Sequence, residues 1–320
     1  MEYIEEEEFT FTDEDSRRAW EKRIREGRML DARFLLSFLS GPHMYTINIL
    51  LGRDEQTPLI IACKLGLEEV VWDLLAHPNL DVNITDSKGN TALLHACGRS
   101  PNNETIVSML LSHQDIQVNK VNSLMDTPLM IACMMSQLGV VKLLLARDDI
   151  NVNAKDNENY TALMLSCEIN NTNTKAEIVR NLLDHKEIDI NYTDTIYEDE
   201  NQNALTMACK SGMPEIISML VKREELEETA INLQAIVDFV IHYIVRKDFL
   251  SGQYVVMKKP TLDITDTRNI RYVIEEAVSN NLPDIARWLL KTSGYLFRAC
   301  STTAALGWSK KRCKNFLTLP

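Results

Sequence analysis

Apolar positions along this chain follow a rhythm that five short segments set: TPLIIAC at 57–63, TALLHAC at 91–97, TPLMIAC at 127–133, TALMLSC at 161–167 and NALTMAC at 203–209. After each comes a stretch with apolar residues at i, i+3 and i+4: EEVVWDLLAH (68–77), TIVSMLLSH (105–113), GVVKLLLAR (139–147), AEIVRNLLDH (176–185) and EIISMLVKR (215–223). That spacing predicts amphipathic helices whose buried stripe is too wide for one hairpin to cover. The heptads predict a helix as well. Thr57 and Thr127 are good N-cap residues, and the proline after each suits the first helical position, where no amide donor is needed. Ala92, Ala162 and Ala204 place the best helix former there. Four units then end on an alternating segment that reads as strand-like: LDVN (80–83), IQVN (116–119), INVN (150–153) and IDIN (188–191). Asn83, Asn119, Asn153 and Asn191 share its last slot.

Successive heptad cysteines, Cys63, Cys97, Cys133, Cys167 and Cys209, lie 34, 36, 34 and 42 residues apart. A period of that size predicts a solenoid in which stacked neighbours cover each other's apolar stripe. The pattern resembles the ankyrin repeat, roughly G-x-T-P-L-H-x-A followed by a second helix and a D-V-N turn, in register over 53–223. The resemblance implies an all-α solenoid of paired antiparallel helices with β-hairpin-like fingers, about seven to eight units including degenerate ends. The expected organisation is an acidic, disordered head (1–11), a degenerate N-terminal capping repeat (12–52), five clear repeats (53–223), degenerate ankyrin-like repeats (224–294) and a basic C-terminal cap or tail (295–320). Within the degenerate region, 266–294 regains the shape, with PDIARWLL matching PEIISMLV. The family's histidine slot reads Ile60, Leu94, Met130, Met164 and Thr206, with His95 one residue beyond it. The usual hydrogen bonds beside the turn are therefore expected to be missing. Insertions fall in loops: RSPNNE between helices of the second unit, NNTNTK (170–175) between those of the fourth, and TDTIYEDENQ (193–202) in a finger, where extra length costs little. Gly89 stands where a positive φ is useful.

Composition narrows the function. The chain has 320 residues and a net charge of −12, which disfavours nucleic acid as the main partner. Residues 1–21 carry nine acidic and two basic side chains, whereas Lys291, Arg298, Lys310, Lys311, Arg312 and Lys314 make the tail basic. The start, MEYIEEEE, lacks the basic n-region of a secretory signal, and the longest apolar run, 236–245, is about half the length a bilayer requires. The expectation is an intracellular chain, cytoplasmic in preference to nuclear, with reduced cysteines. Equivalent residues in stacked repeats sit about 8–10 Å apart, beyond disulfide reach. The five thiols are therefore read as core, not as a metal or redox set. His77, His113 and His185, with Arg147 in the same place, are read as basic groups at helix C-terminal ends. No motif for phosphate binding, zinc hydrolysis or a serine nucleophile occurs, so no enzyme and no cofactor or metal is expected.

The resemblance implies a protein–protein interaction module, an adaptor or scaffold that binds another protein on its concave face and is itself monomeric. The alternative from another class is a targeting arm of an enzymatic assembly, such as a ubiquitin-ligase substrate receptor or a pathogen effector acting on host proteins. Family contacts come from finger tips and the exposed side of each first helix. In this register the partner-binding candidates are Lys64, Leu65, Lys88, Asn90, Arg99, Leu124, Met125, Asp126, Met134, Met135, Glu158, Tyr160, Glu168 and Ile169. Leu124, Met125, Met134 and Met135 make an apolar centre in the third unit.

Overall fold

In the computed structural model the described residues are 47–48, 50, 53–99, 103–168, 173–194, 202–223, 226, 274, 277 and 282–292. They form eleven helices: α1 (Pro58–Leu65), α2 (Glu68–Leu75), α3 (Ala92–Gly98), α4 (Glu104–Leu111), α5 (Pro128–Met134), α6 (Leu138–Leu145), α7 (Ala162–Ser166), α8 (Asn173–Leu183), α9 (Ala204–Lys210), α10 (Pro214–Val221) and α11 (Pro283–Thr292). The chain divides into two compact units, Met1–Ala162 and Leu163–Pro320. The acidic head, the capping repeat apart from Ile47, Asn48 and Leu50, and the basic tail lie outside the described residues. No described helix is long and apolar enough to cross a membrane.

In the first unit each heptad helix pairs with the helix after it, α1 with α2, α3 with α4 and α5 with α6. First helices stack in one row, α1 on α3 on α5, and second helices in another, α2 on α4 on α6. Thr57 and Thr127 are the caps the sequence predicts, and Thr91 is a third. Thr57, Thr91 and Thr127 have extended backbones, and each hydroxyl accepts the amide of the residue three on. Between the two rows lie the apolar stripes, including Leu59, Val71, Leu74, Leu93, Val107, Leu110, Leu129, Val141 and Leu144, all buried. Every side chain in the vacant histidine slot is buried too. Two of them restore the bond expected to be missing. Met130 Sδ accepts the Thr127 amide at 3.4 Å, and Thr206 Oγ1 accepts the Asn203 amide at 2.8 Å.

The segments read as strand-like are turns. Their alternation is real, since Leu80 and Val82, Ile116 and Val118, and Ile150 and Val152 are buried, but the polar bonds come from a side chain. Asn83 Nδ2 donates to Asp115 O (2.7 Å) while its Oδ1 accepts the Gln117 amide (2.9 Å). Asn119 does the same to Asp149 O and the Asn151 amide. Asn48 does it to Asn79 O and the Asp81 amide, which puts this residue of the predicted capping repeat in the same slot. At these three places one asparagine joins its turn to the next turn along.

The histidines at helix ends work differently from the expectation. Nδ1 of His77, His113 and His185 accepts the amide two residues on, at 3.2–3.3 Å, so each ring is a hydrogen-bond acceptor that shapes the turn. Arg147 alone acts on a helix carbonyl, donating to Leu111 O at 3.1 Å while its fork holds Asp149.

In the second unit α9 pairs with α10, and α10 packs on both α8 and α11. Of NNTNTK, read as loop, Asn173 to Lys175 already belong to α8. Lys175 is buried, and its ammonium reaches back to Glu168 O at 2.9 Å, closing the connection. Helix α11 occupies the place after α10 in the second-helix row although residues 222–282 intervene. Leu282 N donates to Ala277 O as Met213 N does to Ala208 O, and Ser218 and Lys222 both bond Asp284. Ile274 and Ala277, the described residues just ahead of α11, are helical and buried, so α11 follows a helical segment as α10 follows α9.

Candidate interaction face

Three fingers of the first unit share one construction. In each, a short polar side chain accepts the amides two and four residues on: Asp86 those of Lys88 and Asn90, Asn122 those of Leu124 and Asp126, Asp156 those of Glu158 and Tyr160. This is the local turn chemistry that aspartate and asparagine favour. Fingers also bond to each other. Ser87 N donates to Asp54 O, Ser123 N to Lys88 O, and Asn157 N to Leu124 O, all at 2.9–3.0 Å. The tip residue just before the tip's last position is left-handed every time: Glu55 (φ 53°), Gly89 (77°), Met125 (64°) and Asn159 (62°). At Gly89 a methyl group would also come within 3.0 Å of the Ser123 amide. Two of these four positions carry the residues that tolerate such a backbone. Glu55 and Met125 do not belong to that class, and their backbone is strained.

Electrostatics separate two finger carboxylates. Burial works against the charge of Asp86, but hydrogen bonds from His95 (Nε2 to Oδ2, 2.8 Å) and from the Asn90 and Lys88 amides outweigh it and hold this carboxyl below its ordinary range. Burial raises Asp126, aided by the nearby Asp156 charge and only partly offset by the Asn122 amide. Asp126 is buried. It is therefore part of the finger's framework, and so is half-buried Asn90, whose amide group bonds Asp86.

Among the other sequence candidates, Lys64, Leu65, Lys88, Glu158 and Glu168 are exposed, and Tyr160 is half-buried. Ile169 lies outside the described residues. Arg99 is tied down: its guanidinium lies over Gly66 of the preceding repeat, its Nη1 donates to Asn103 Oδ1, and its carbonyl accepts from Gln137. Its fork bridges repeats. Asn103, which the sequence did not single out, is the buried hub of this loop, donating to Ala96 O at 3.1 Å. Its place just ahead of an amphipathic helix was the available signal.

The third repeat is the exception to this polar scheme. Leu124 is 56% exposed, Met125 48% and Met135 49%, while Met134 is half-buried. The positions aligned with Leu124 hold Asp54, Lys88 and Glu158. A second strained residue, Ser136 (φ 56°), follows Met135 where the first repeat has Gly66. One exposed aromatic was also missed, Trp72 on α2 at 65%. Ser108 and Lys142 occupy its aligned positions, so the column comparison would have flagged it.

None of the five heptad cysteines forms a disulfide, and all are buried. Burial pushes the Cys63, Cys97 and Cys209 thiols far above the usual range, which keeps them protonated and unreactive. No group of three or more potential metal ligands occurs among the described residues.

Known proteins agree with this architecture. The family model described as ankyrin repeats (3 copies) matches at 29–122, 59–156, 99–194 and 129–235. No curated protein matches the sequence. Among solved structures, the crystal structure of EF0377, an ankyrin repeat protein, is similar with a TM-score of 0.52 at 21% identity. The similarity covers 65% of this chain and 96% of that one. With overlapping family matches running from residue 29 to 235, well over half its length, the chain belongs to the ankyrin-repeat family.

Proposed function

We propose that this chain is an adaptor or scaffold that seats a partner protein on the concave face formed by finger tips and first-helix ends, centred on the third repeat. Ankyrin repeats generally serve as protein–protein interaction modules. The observation that carries the reading is the exposure of Leu124, Met125 and Met135 in one repeat, with Met125 in left-handed backbone. Every finger uses that left-handed position for its turn, so the pointer is the side chain it carries: Met125 presents a thioether where the other fingers hold Glu55, Gly89 and Asn159. Exposed methionines suit a surface that must adapt to its ligand. Lys64, Leu65, Lys88 and Glu158 form the mixed rim usual at such faces, and Asn90 and Asp126 hold the fingers in place. The chain acts by binding, without catalysis, cofactor or metal.

The test is capture by the immobilised full chain followed by identification of the retained proteins. Met134 is half-buried, so the cleaner variant joins Leu124→Asp to Met135→Asp. Removing two apolar anchors of this size is expected to weaken capture by about tenfold or more, with circular dichroism and melting temperature near wild type. Unchanged capture would move the face elsewhere, Trp72 being the next candidate. Ligase subunits among the captured proteins would favour the targeting-arm alternative.

A further inference from the structure

We propose that the thioethers of Met125 and Met135 are an oxidation site at which a hydroperoxide turns the third-repeat face polar and switches its binding off; the proposal rests on the binding reading above.

The distribution of sulfur points there. Met130, Met164, Met207 and Met213 are buried, and Met130 Sδ is engaged by the Thr127 amide. Met125 and Met135 expose about half their surface (48% and 49%). Thiolates would ordinarily react with peroxide first. Here the five heptad thiols are buried, and desolvation keeps those of Cys63, Cys97 and Cys209 protonated. A thioether needs no deprotonation. Among the described sulfurs the exposed methionines are therefore the first in line, and they stand at the apolar centre.

The step balances without a further reagent. A sulfur lone pair attacks one peroxide oxygen, the O–O bond breaks and an S–O bond forms. After proton transfer the other oxygen leaves as water, or as an alcohol from an organic hydroperoxide. Sulfur is oxidised by two electrons and the peroxide is reduced by two. The product sulfoxide is polar and chiral, and burying it without a hydrogen-bond donor opposes the contact that the thioether favoured. The fold should be indifferent, because neither side chain lies in the core and the finger's own bonds use the backbone of Leu124 and the side chain of Asn122. Methionine sulfoxide reductases of both stereospecificities would reverse the change.

The probe is a pool of 12-residue peptides selected from a random display library against the untreated full chain. Hydrogen peroxide is titrated onto the protein, oxidation is mapped by peptide mass spectrometry, and pool binding is measured before oxidation, after it and after reductase treatment. The expected result is oxidation of Met125 and Met135 about tenfold faster than of Met130, Met164 or the five heptad cysteines. Pool binding should fall about tenfold with an unchanged melting temperature, and return with the reductases. In a Met125→Leu, Met135→Leu protein, the ratio of treated to untreated binding should stay near one. Equal oxidation of buried and exposed methionines overturns the proposal, as does selective oxidation that leaves pool binding intact. A pool indifferent both to oxidation and to Leu124→Asp with Met135→Asp sinks the binding reading with it.

Discussion

Met125 carries an unbranched side chain at a position where the neighbouring fingers place Gly89 and Asn159. The left-handed backbone costs a non-glycine residue about 1–2 kcal/mol, partly offset by the greater freedom glycine has when unfolded. Met125→Gly is therefore expected to raise stability by about 0.5–1 kcal/mol in urea denaturation while weakening partner capture. A gain in both would remove the argument that a methionine is kept there for binding. Asp126 offers the opposite case. Its carboxyl is raised in the folded state, chiefly by burial, so its contribution is greatest below the unfolded carboxylate value and is lost as pH rises through the folded one. Asp126→Asn should leave stability unchanged or raise it by up to about 1 kcal/mol at pH 7, since Gln56, Asn90 and Tyr160 fill the aligned places without charge. Asp86 is held low, and its contribution is present above the unfolded value and lost as pH falls through the folded one. Asp86→Asn should flatten the acid side of the urea-midpoint profile below the ordinary carboxylate range; an unchanged slope there would remove the His95–Asp86 pair from the account. The apolar quartet, of which Leu124, Met125 and Met135 are exposed, was legible in the sequence because side-chain type in an aligned column is enough to see it. The left-handed backbone was not, as φ is written in no single residue, and Arg99 looked available because nothing nearby in sequence announces Gly66 as its seat.

Helices were the legible elements, since Thr57 and Thr127 mark starts and a 3.6-residue period marks faces. The LDVN-type endings misled because buried residues alternate there as they would in a strand. What distinguishes a turn joined by a side chain from a strand joined by backbone is the partner, and that partner sits one repeat away. The start of α8 was missed for a similar reason: Asn173 and Thr174 look like loop residues, and the Lys175 bond to Glu168 O lies across the connection. The joining asparagines give a direct test. Asn83→Ala or Asn119→Ala removes one donated and one accepted bond between turns, at about 0.5–1.5 kcal/mol each. A loss of about 1–2 kcal/mol is expected from either, read from the urea midpoint. A loss under a few tenths would show that water replaces these exposed bonds.

Across the whole molecule the period carried most of the information. It placed the five cysteines in the core, where native maleimide labelling of Cys63, Cys97, Cys133, Cys167 and Cys209 should be slow and labelling after denaturation complete. Rapid native modification would contradict the burial. The period did not foresee that α11 packs directly on α10, because the residues between them are enough for another repeat. Spatial adjacency overruled sequence distance there, as Ser218 and Lys222 meeting Asp284 makes plain.

The asparagine joints have a consequence for how the protein is made. Asn48 bonds Asn79 and Asp81, Asn83 bonds Asp115 and Gln117, and Asn119 bonds Asp149 and Asn151. In each case the partners lie 30–34 residues later in the chain. A ribosome adding about 5–20 residues per second delivers them roughly two to seven seconds after the asparagine itself. Each repeat thus emerges with a turn that only the following repeat can finish, and folding during synthesis should advance in steps one repeat behind the growing end. A pause in translation would leave one joint open at a time, always the newest, while every older joint is already closed.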